Sequence, residues 1–290
     1  MPDGILIIDK PADWTSMDVC AKLRGIFHEK RIGHGGTLDP MATGVLPVFI
    51  GRATRAVQFA EKGDKEYIAT MQLGLISDTQ DSTGTILERH AVSAARQDLE
   101  AVLPRFTGEI LQTPPMYSAI KIQGKKLYQL ARKGKEVERP QRPITIRALE
   151  VLEEGPEHTY KLRVLCSKGT YVRTLCHDIG QALGCGAVMT ALRRTMAAGF
   201  TLEDAVTLEQ VQQAEDPAAL LMGVDTYFAG RPMIILRSEA ERKLRNGMTL
   251  RLNEALPEGE YRVYGADQTF LALCRSDGTH LQTIKSFFNV

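Results

Sequence analysis

Apolar and polar positions along the chain form short segments with two different periods, which predict strands and helices in mixed order. Residues 4–9 and 45–50 are apolar runs of strand length. Residues 65–73 alternate, so that Tyr67 and every second residue after it fall on one face of a strand. Further strands are predicted near residues 144–152 and 159–166 and, towards the C-terminus, at 234–236, 249–252, 261–264, 270–274 and 280–284.

Helices are predicted where apolar residues recur every three or four positions. One helix follows Ser16, which is a candidate N-cap, and another starts at Thr170. Two more are expected near residues 93–104 and 125–133. Because the strands and helices do not alternate strictly as βαβ units, we predict an α+β fold with a mixed, mainly antiparallel sheet and flanking helices.

The C-terminal part of the chain differs in pattern from the rest. Gly230-Arg231-Pro232 is followed only by short strand-like segments, and glycine and proline commonly interrupt regular structure. A chain of 290 residues can hold one large and one small domain. We therefore predict domains at residues 1–229 and 230–290, the second of them mainly β.

Composition narrows the class of protein. The hydrophobic content of 43% is ordinary for a globular protein. The five cysteines form no Cys-x-x-Cys pair and the six histidines lack metal-ligand spacing, which argues against a disulfide framework and a zinc site. No apolar run approaches the roughly 20 residues that a membrane helix needs, and the N-terminal residues lack the layout of a signal peptide. We expect a cytoplasmic protein.

The net charge of +1 conceals an uneven distribution. Residues 117–147 hold nine Lys or Arg against two acids, whereas residues 200–229 hold six acids and no Lys or Arg. Clustered cations of this kind, here including Lys121, Lys125 and Arg132, suit contact with a polyanion such as RNA. A solvated helix face is the other common fate of a charged run.

Several familiar catalytic motifs are missing from the sequence. Neither Gly-x4-Gly-Lys-Ser/Thr nor a Gly-x-Gly-x-x-Gly that opens a helix is present. The Gly-x-Ser-x-Gly pattern is missing as well. Candidate chemistry therefore falls on a loop carboxylate and its partners.

Residues 33–44 read Gly-His-Gly-Gly-Thr-Leu-Asp-Pro-Met-Ala-Thr-Gly and form what we call the signature loop. Glycine widens the allowed backbone conformations and proline restricts them, so this segment is predicted to be a shaped loop. It presents one acid, Asp39, beside a histidine and threonines, which is typical of a functional site. A plain turn, with Asp39 as a local backbone acceptor before Pro40, is the alternative.

The full signature loop resembles the pattern HxGTLDPxATG of the TruB family of tRNA pseudouridine synthases, with no mismatch at the fixed positions. The resemblance implies that Asp39 is the catalytic residue. Residues 168–175 resemble the family's KGTYxRxL motif, which implies that Arg173 pairs with Asp39 and that Tyr171 lines the active site. From spacing alone, Arg173 could pair bidentately with a buried carboxylate or simply be a surface residue.

Three more site residues follow from the same resemblance. The strand segment Lys65-Glu66-Tyr67 implies that Tyr67 stacks on the target base, and His34 is implied to help displace the target nucleotide. Leu192, in the Leu-Arg-Arg-Thr segment, is implied to form the floor of the pocket. The structural alternatives are a core tyrosine, a loop histidine bonded to its own backbone and a core leucine.

The resemblance extends over nearly the whole chain. Asp9-Lys10-Pro11 resembles an N-terminal motif that we expect to brace the signature loop. Residues 112–143 resemble the RNA-gripping insertion of the bacterial branch, and the last 60 or so residues resemble a small PUA-type RNA-binding domain. Two sites depart from the family pattern. Asp13 stands in place of a glycine, and Ala198-Gly199-Phe200 stands in place of Gly-Pro-Phe. Both are expected in structural parts.

The resemblance implies a pseudouridine synthase fold and isomerisation of uridine 55 in the T loop of tRNA. This reaction needs no redox change, so neither a cofactor nor a metal is expected. One ionised carboxylate could attack C1′, add to C6 or remove the C2′ proton, and the sequence leaves these open. The target base must leave its stack to reach the carboxylate. A monomer acting on tRNA without an obligatory protein partner or guide RNA is expected.

Three other functions are compatible with parts of the sequence. A non-catalytic RNA-binding module would share the basic insertion but would not need the sequence motifs around Asp39 and Arg173. A guide-RNA-dependent synthase would share those motifs and is expected to lack the insertion. A hydrolase using Asp39 would need a second carboxylate as its acid, and no acid in the sequence is evidently placed for that role.

Overall fold

The structure is a computed structural model that describes residues 2–122 and 124–288. Gln123 of the insertion and the outermost residues of both predicted domains, residues 1 and 289–290, lie outside this range. The α-helices of the described chain are α1 Ser16–Phe27, α2 Val57–Ala60, α3 Arg96–Val102, α4 Leu127–Ala131, α5 Val172–Ala182, α6 Leu208–Gln213 and α7 Ser238–Arg245. Short 3₁₀ helices lie at Gly51–Ala56, Leu103–Phe106, Leu202–Asp204, Pro217–Leu220 and Val224–Phe228.

Strands make up most of the remaining regular structure. They are β1 Gly4–Lys10, β2 Ile32–His34, β3 Thr43–Ile50, β4 Lys65–Leu73, β5 Leu75–Ser77, β6 Ile86–Arg89, β7 Gly108–Gln112, β8 Lys121–Ile122, β9 Lys125–Lys126, β10 Arg142–Glu154, β11 Thr159–Cys166, β12 Ala187–Ala197, β13 Phe200–Thr201, β14 Met233–Ile235, β15 Leu250–Arg251, β16 Gly259–Tyr264, β17 Phe270–Ser276 and β18 His280–Ser286.

The large sheet has the strand order β1-β3-β12-β4-β11-β10-β7, with β2 added to β3 and β13 added to β12. Strands β3 and β12 pair in parallel, whereas the other pairs along the path are antiparallel. The predicted α+β fold with a mixed, mainly antiparallel sheet is confirmed.

Strand β4 has the bounds and the alternation that its sequence predicts. Tyr67, Ala69, Met71 and Leu73 are buried, while the residues between them are partly exposed. The buried face packs against Leu99 of α3 and Leu175 of α5 in the main apolar cluster. Burying a leucine or methionine side chain stabilises the fold by about 1.5–3 kcal/mol relative to leaving it exposed. This cluster therefore holds α5 against the centre of the sheet.

Two predicted helix starts are displaced. Helix α1 is capped by Thr15, whose hydroxyl accepts from the backbone N–H of Asp18 at 3.0 Å, so Ser16 is its first residue and not its cap. Helix α5 has Tyr171 at its N-cap with no side-chain cap from that residue. Thr170 instead donates its hydroxyl to Ser167 O at 3.0 Å. The Ser16 hydroxyl instead bonds to the backbone of distant Leu38, whereas the Thr170 hydroxyl is taken by a local turn.

Strand β12 is central to the sheet and was not predicted. It lies between β3 and β4 and carries Leu192, Arg193 and Arg194. Its sequence is rich in Ala, Met, Leu and Arg, which favour helices, and the adjacent arginines interrupt any alternation. Pairing with both neighbours therefore overrides a weak local preference.

The insertion at residues 112–143 begins where β7 ends and returns through β10. Strands β8 and β9 pair as a small antiparallel hairpin within it, which the sequence did not predict, and helix α4 follows as expected. Leu127 at the start of α4 is fully buried, whereas Lys121 and Lys125 of the hairpin are exposed. Pro114 and Pro115 are buried as well, so apolar residues anchor the insertion while Lys121 and Lys125 face solvent.

A smaller sheet forms near the C-terminus in the order β14-β16-β17-β18-β15, as the predicted mainly-β, PUA-like domain requires. Its Phe270 and Phe287 pack on Phe228, with ring centroids 6.2 Å and 5.9 Å away. Arg55 also donates to Ser286 O at 2.9 Å. The boundary at residue 230 stays a prediction. Within the described chain, no helix is long and apolar enough to cross a membrane.

Candidate active site

The carboxylate of Asp39 lies in the irregular segment between β2 and β3, and buried Arg194 holds that segment against the sheet. Arg194 donates through Nε to Val45 O at 2.7 Å and through Nη2 to Gly36 O at 3.2 Å. Gly36 and Gly44 both have positive φ. At Gly44 a Cβ would lie 2.2 Å from the carbonyl oxygen of Arg194, so only glycine allows this approach of β3 to β12.

The N-terminal motif braces the other side of the signature loop. Lys10, which is fully buried, donates its ammonium to Trp14 O at 2.6 Å, Pro11 O at 2.8 Å and Pro40 O at 3.1 Å. Ser16 accepts from the backbone N–H of Leu38 at 2.9 Å. The residues that flank Asp39 are therefore both fixed from the same side, in agreement with the brace expected of this motif.

Arg173, in the first turn of α5, also approaches Asp39. Its Nη2 lies 3.3 Å from Oδ2 and 3.4 Å from Oδ1 of Asp39. The same nitrogen donates to Tyr117 O at 2.8 Å, while Nη1 lies 3.5 Å from Oδ2 of Asp81. The expected bidentate pair does not form, because Arg173 divides its two terminal nitrogens between two carboxylates and a carbonyl.

Asp81 is a buried acid that sequence reasoning missed. Its Oδ1 accepts from the Thr83 hydroxyl at 2.6 Å, from the Thr79 hydroxyl at 2.7 Å and from Thr83 N–H at 3.0 Å. These donors fix its other oxygen towards Arg173. The only local signal is the polar turn at residues 78–84, and nothing in its spacing indicates which cation it meets.

The surroundings of Asp39 act on its ionisation in opposite directions. Burial raises the pKa of the Asp39 carboxyl, the Arg173 guanidinium lowers it, Asp81 raises it and Lys10 lowers it, so that the pKa lies above its ordinary value of 3.8. A carboxylate with a raised pKa is more basic than an ordinary one, which suits a base or nucleophile.

Aromatic and apolar side chains lie around this carboxylate. Tyr67 and Leu192 are buried in the main apolar cluster, with Leu38 of the signature loop in the same cluster. Burial raises the pKa of the Tyr67 phenol against the effect of nearby Arg194. The ring of Tyr171 lies beside Arg173, with 6.0 Å from Cζ to the ring centroid. A planar base could stack in such surroundings.

His34 ends β2 at the start of the signature loop. Burial and the charge of Arg194 lower the pKa of its imidazole, which is therefore neutral near neutral pH. Its Nδ1 is buried and has no hydrogen-bond partner among the described residues. The structure thus brings together Asp39, Arg173 and the predicted aromatic residues, with His34 at one end of the loop that carries Asp39.

The predicted cations of the insertion are not part of this cluster. Lys121 and Lys125 lie on the β8–β9 hairpin, and Arg132 follows α4 with its guanidinium carbon 5.4 Å from the ring centroid of Tyr128. Lys121, Lys125 and Arg132 are all exposed. In the part of the chain that the structure describes, no group of three or more His, Cys, Asp or Glu residues could hold a metal ion.

Comparison with protein families gives two adjoining matches. The family described as TruB family pseudouridylate synthase (N terminal domain) matches residues 24–172. The family described as tRNA pseudouridylate synthase B C-terminal domain matches residues 173–227. The first match holds the signature loop and the second begins at Arg173.

Curated relatives match over most of the chain. The tRNA pseudouridine synthase B of Ralstonia nicotianae is 45% identical over 269 residues, which span 91% of this chain and 86% of that protein. The protein of the same name from Burkholderia mallei is 44% identical over 94% of this chain and 93% of its own length.

Solved structures with the same fold include the Cbf5-Nop10-Gar1 complex, with a TM-score of 0.74 and 27% identity over 98% of this chain and 85% of the matched chain. An H/ACA RNP bound to a substrate RNA containing 2′-deoxyuridine matches with a TM-score of 0.73 and 25% identity, over 99% of this chain and 85% of that one. This chain is therefore similar along nearly all its length to proteins of pseudouridine synthesis.

Proposed function

The chain belongs to the TruB family of pseudouridylate synthases, and from that premise we propose that it isomerises uridine 55 in the T loop of tRNA with Asp39 as its single catalytic carboxylate. Its relatives are named tRNA pseudouridine synthase B, an activity that converts uridine to pseudouridine in tRNA. The observation that supports Asp39 is its position in the signature loop, 3.3 Å from the buried guanidinium of Arg173 and near enough to Tyr67 to raise the pKa of its phenol.

The reaction breaks the C1′–N1 bond, turns the base and joins C1′ to C5, while N1 gains a proton and C5 loses one. Asp39 acts at C1′, at C6 or on the C2′ proton, and each of these requires its ionised form. Arg173 supports that form because its guanidinium opposes the effect of burial on the pKa of Asp39. Arg173 therefore favours the ionised form of a carboxylate that is only partly exposed.

The target base must leave its stack, which costs a few kcal/mol. We propose that Tyr67 stacks on the flipped base, that Leu192 supports it from below and that Tyr171 lines the pocket. His34 is proposed to fill the space that the base leaves, which a neutral imidazole can do without attracting phosphate. RNA loops are suitable targets because their bases can be splayed out.

The cations of the insertion and the small C-terminal domain are proposed to hold the tRNA backbone. Since Lys121, Lys125 and Arg132 are accessible to solvent on an anchored segment, they can neutralise phosphates without changing the pocket. We further propose that the protein works in the cytoplasm as a monomer, without a guide RNA or an obligatory protein partner.

The test uses the purified protein alone with an unmodified tRNA transcript. We expect one pseudouridine, at position 55, and none in a transcript that carries cytidine there. Binding without any product would favour a non-catalytic RNA-binding module. Product that forms only when a guide RNA is added would favour a guide-dependent synthase.

A further inference from the structure

Gln112, the last residue of β7, forms two hydrogen bonds to the backbone of one distant residue. Its Nε2 donates to Tyr171 O at 3.1 Å, and its Oε1 accepts from Tyr171 N–H at 2.9 Å. The Gln112 side chain is buried. The Gln112 amide therefore bonds to both the N–H and the C=O of Tyr171, as the backbone of a neighbouring β-strand would, and so restrains the Tyr171 backbone.

Helix α5 needs this contact because its start lacks a local cap. The first N–H groups of a helix have no partner within the helix. Tyr171 offers no side-chain cap, and the Thr170 hydroxyl is bonded to Ser167 O. Gln112 therefore supplies the acceptor at the N-cap from outside the helix, two residues before Arg173.

The root of the insertion also touches the guanidinium of Arg173 directly. Tyr117 O accepts from Arg173 Nη2 at 2.8 Å, a shorter distance than the 3.3 Å to Asp39 or the 3.5 Å to Asp81. Gln112 and Tyr117 are five positions apart in the same entry to the insertion. This segment therefore holds Arg173 at both ends, through the helix backbone and through the guanidinium.

We propose that Gln112 is a positioning residue for the isomerisation: it fixes the backbone at Tyr171, and through it sets the places of the Tyr171 ring and the Arg173 guanidinium relative to Asp39. The proposal rests on the proposed function of Asp39 and Arg173. It also links the base of the insertion to Arg173, because the insertion starts from β7, which ends at Gln112.

The first variant is Gln112→Met, which keeps the length of the side chain and removes both hydrogen bonds. Small misplacements of catalytic groups lower rates by up to roughly 100-fold, so we expect a loss of roughly 10- to 100-fold in the single-turnover rate at saturating enzyme. The Kd for tRNA and its salt dependence should stay near those of the unaltered protein. The matched control is Gln72→Met, the same change at a partly exposed position of β4, which should keep the full rate.

The second variant is Gln112→Glu, which separates positioning from folding. The ionised carboxylate can accept from Tyr171 N–H but cannot donate to Tyr171 O, whereas the protonated carboxyl can do both. The ratio of its rate to that of the unaltered protein should therefore rise as the pH is lowered from mildly alkaline to mildly acidic. Dividing by the rate of the unaltered protein removes the titration of Asp39, which both proteins share.

Thermal unfolding of each variant sets a temperature at which all are folded. A full rate for Gln112→Met at that temperature would overturn the proposal. So would a rate ratio for Gln112→Glu that does not change with pH, or a loss confined to tRNA affinity. If the unaltered protein makes no pseudouridine in the same assay, the proposed function itself fails and the inference fails with it.

Discussion

The guanidinium of Arg173 faces the carboxylate of Asp39 with one nitrogen, Nη2, which lies 3.3 Å from Oδ2 and 3.4 Å from Oδ1. The other terminal nitrogen faces Asp81 at 3.5 Å. The arginine therefore links an acid that is 34% exposed to one that is 4% exposed. Asp81 therefore fixes the arginine from the buried side, while Asp39 remains partly accessible.

Asp39→Asn should abolish product and leave tRNA binding nearly unchanged, because an amide can neither attack carbon nor accept a proton as the carboxylate does. Single-turnover assays and Kd measurements on the same preparation separate the two effects. Asp13→Asn, an exposed acid whose backbone N–H bonds to Pro40 of the same loop, is the matched control and should keep its activity. Turnover by a clean Asp39→Asn preparation would remove Asp39 from the catalytic role.

Arg173→Lys should lower the single-turnover rate by roughly 100- to 1000-fold, the range seen when one preorganised polar group is removed from an active site. Lysine keeps the charge, but its single nitrogen cannot reach Asp39, Asp81 and Tyr117 O as the planar guanidinium does. Affinity for tRNA should change little. A rate near that of the unaltered protein would show that a point charge is sufficient.

Asp81→Asn should have two effects on the pH–rate profile. The rate at neutral pH should fall by about 10- to 100-fold, since a hydrogen bond between charged groups is lost. Asp81 raises the pKa of Asp39, so its neutralisation should lower that pKa and move the acidic limb of the profile to lower pH. An unchanged profile would mean that Asp81 serves folding alone.

Neutralising Lys121, Lys125 and Arg132 together should weaken tRNA binding. The logarithm of the binding constant should also fall less steeply with the logarithm of the salt concentration, its slope changing by roughly one unit for each phosphate contact that is lost. The rate at saturating enzyme should change little, because none of the three residues belongs to the cluster around Asp39. Titrations at several salt concentrations measure the slope. If the slope is unchanged, these cations are a solvated surface and the RNA lies elsewhere.

Asp178→Asn should stabilise the protein above pH 6. Burial raises the pKa of Asp178 from 3.8 to about 6, so between these values the folded chain binds more protons than the unfolded chain. The free energy of unfolding is therefore not lowered by this group below about pH 4, and it falls as the pH rises through about 6 and the buried carboxyl ionises. The unfolding temperature of the variant should exceed that of the unaltered protein at neutral pH and approach it near the acidic end of this range. A difference in unfolding temperature that does not vary with pH would contradict this.

Local rules were sufficient where the chain encodes structure within a few residues. The period-two pattern of Lys65–Leu73 determined both the bounds and the buried face of β4. The glycines of the signature loop correctly indicated an irregular backbone, and Gly36 and Gly44 do adopt positive φ. The uneven charge of residues 117–147 likewise predicted solvent-accessible cations, because charged side chains without buried partners stay in water.

Spacing and periodicity did not show which distant residues meet; the pairing of Arg173 with Asp39 was implied by the family resemblance, and its partners Asp81 and Tyr117 appeared only in the tertiary structure. Arg173 and Asp39 are 134 positions apart, and Arg173 and Asp81 are 92 apart. Their approach depends on β12 entering between β3 and β4, which its own sequence did not indicate. The capping of α5 by Gln112, 59 positions away, is of the same kind. Sequence by itself determined the local elements and the reactive loop, whereas contacts across the sheet depend on strand order and register, which no local pattern specifies.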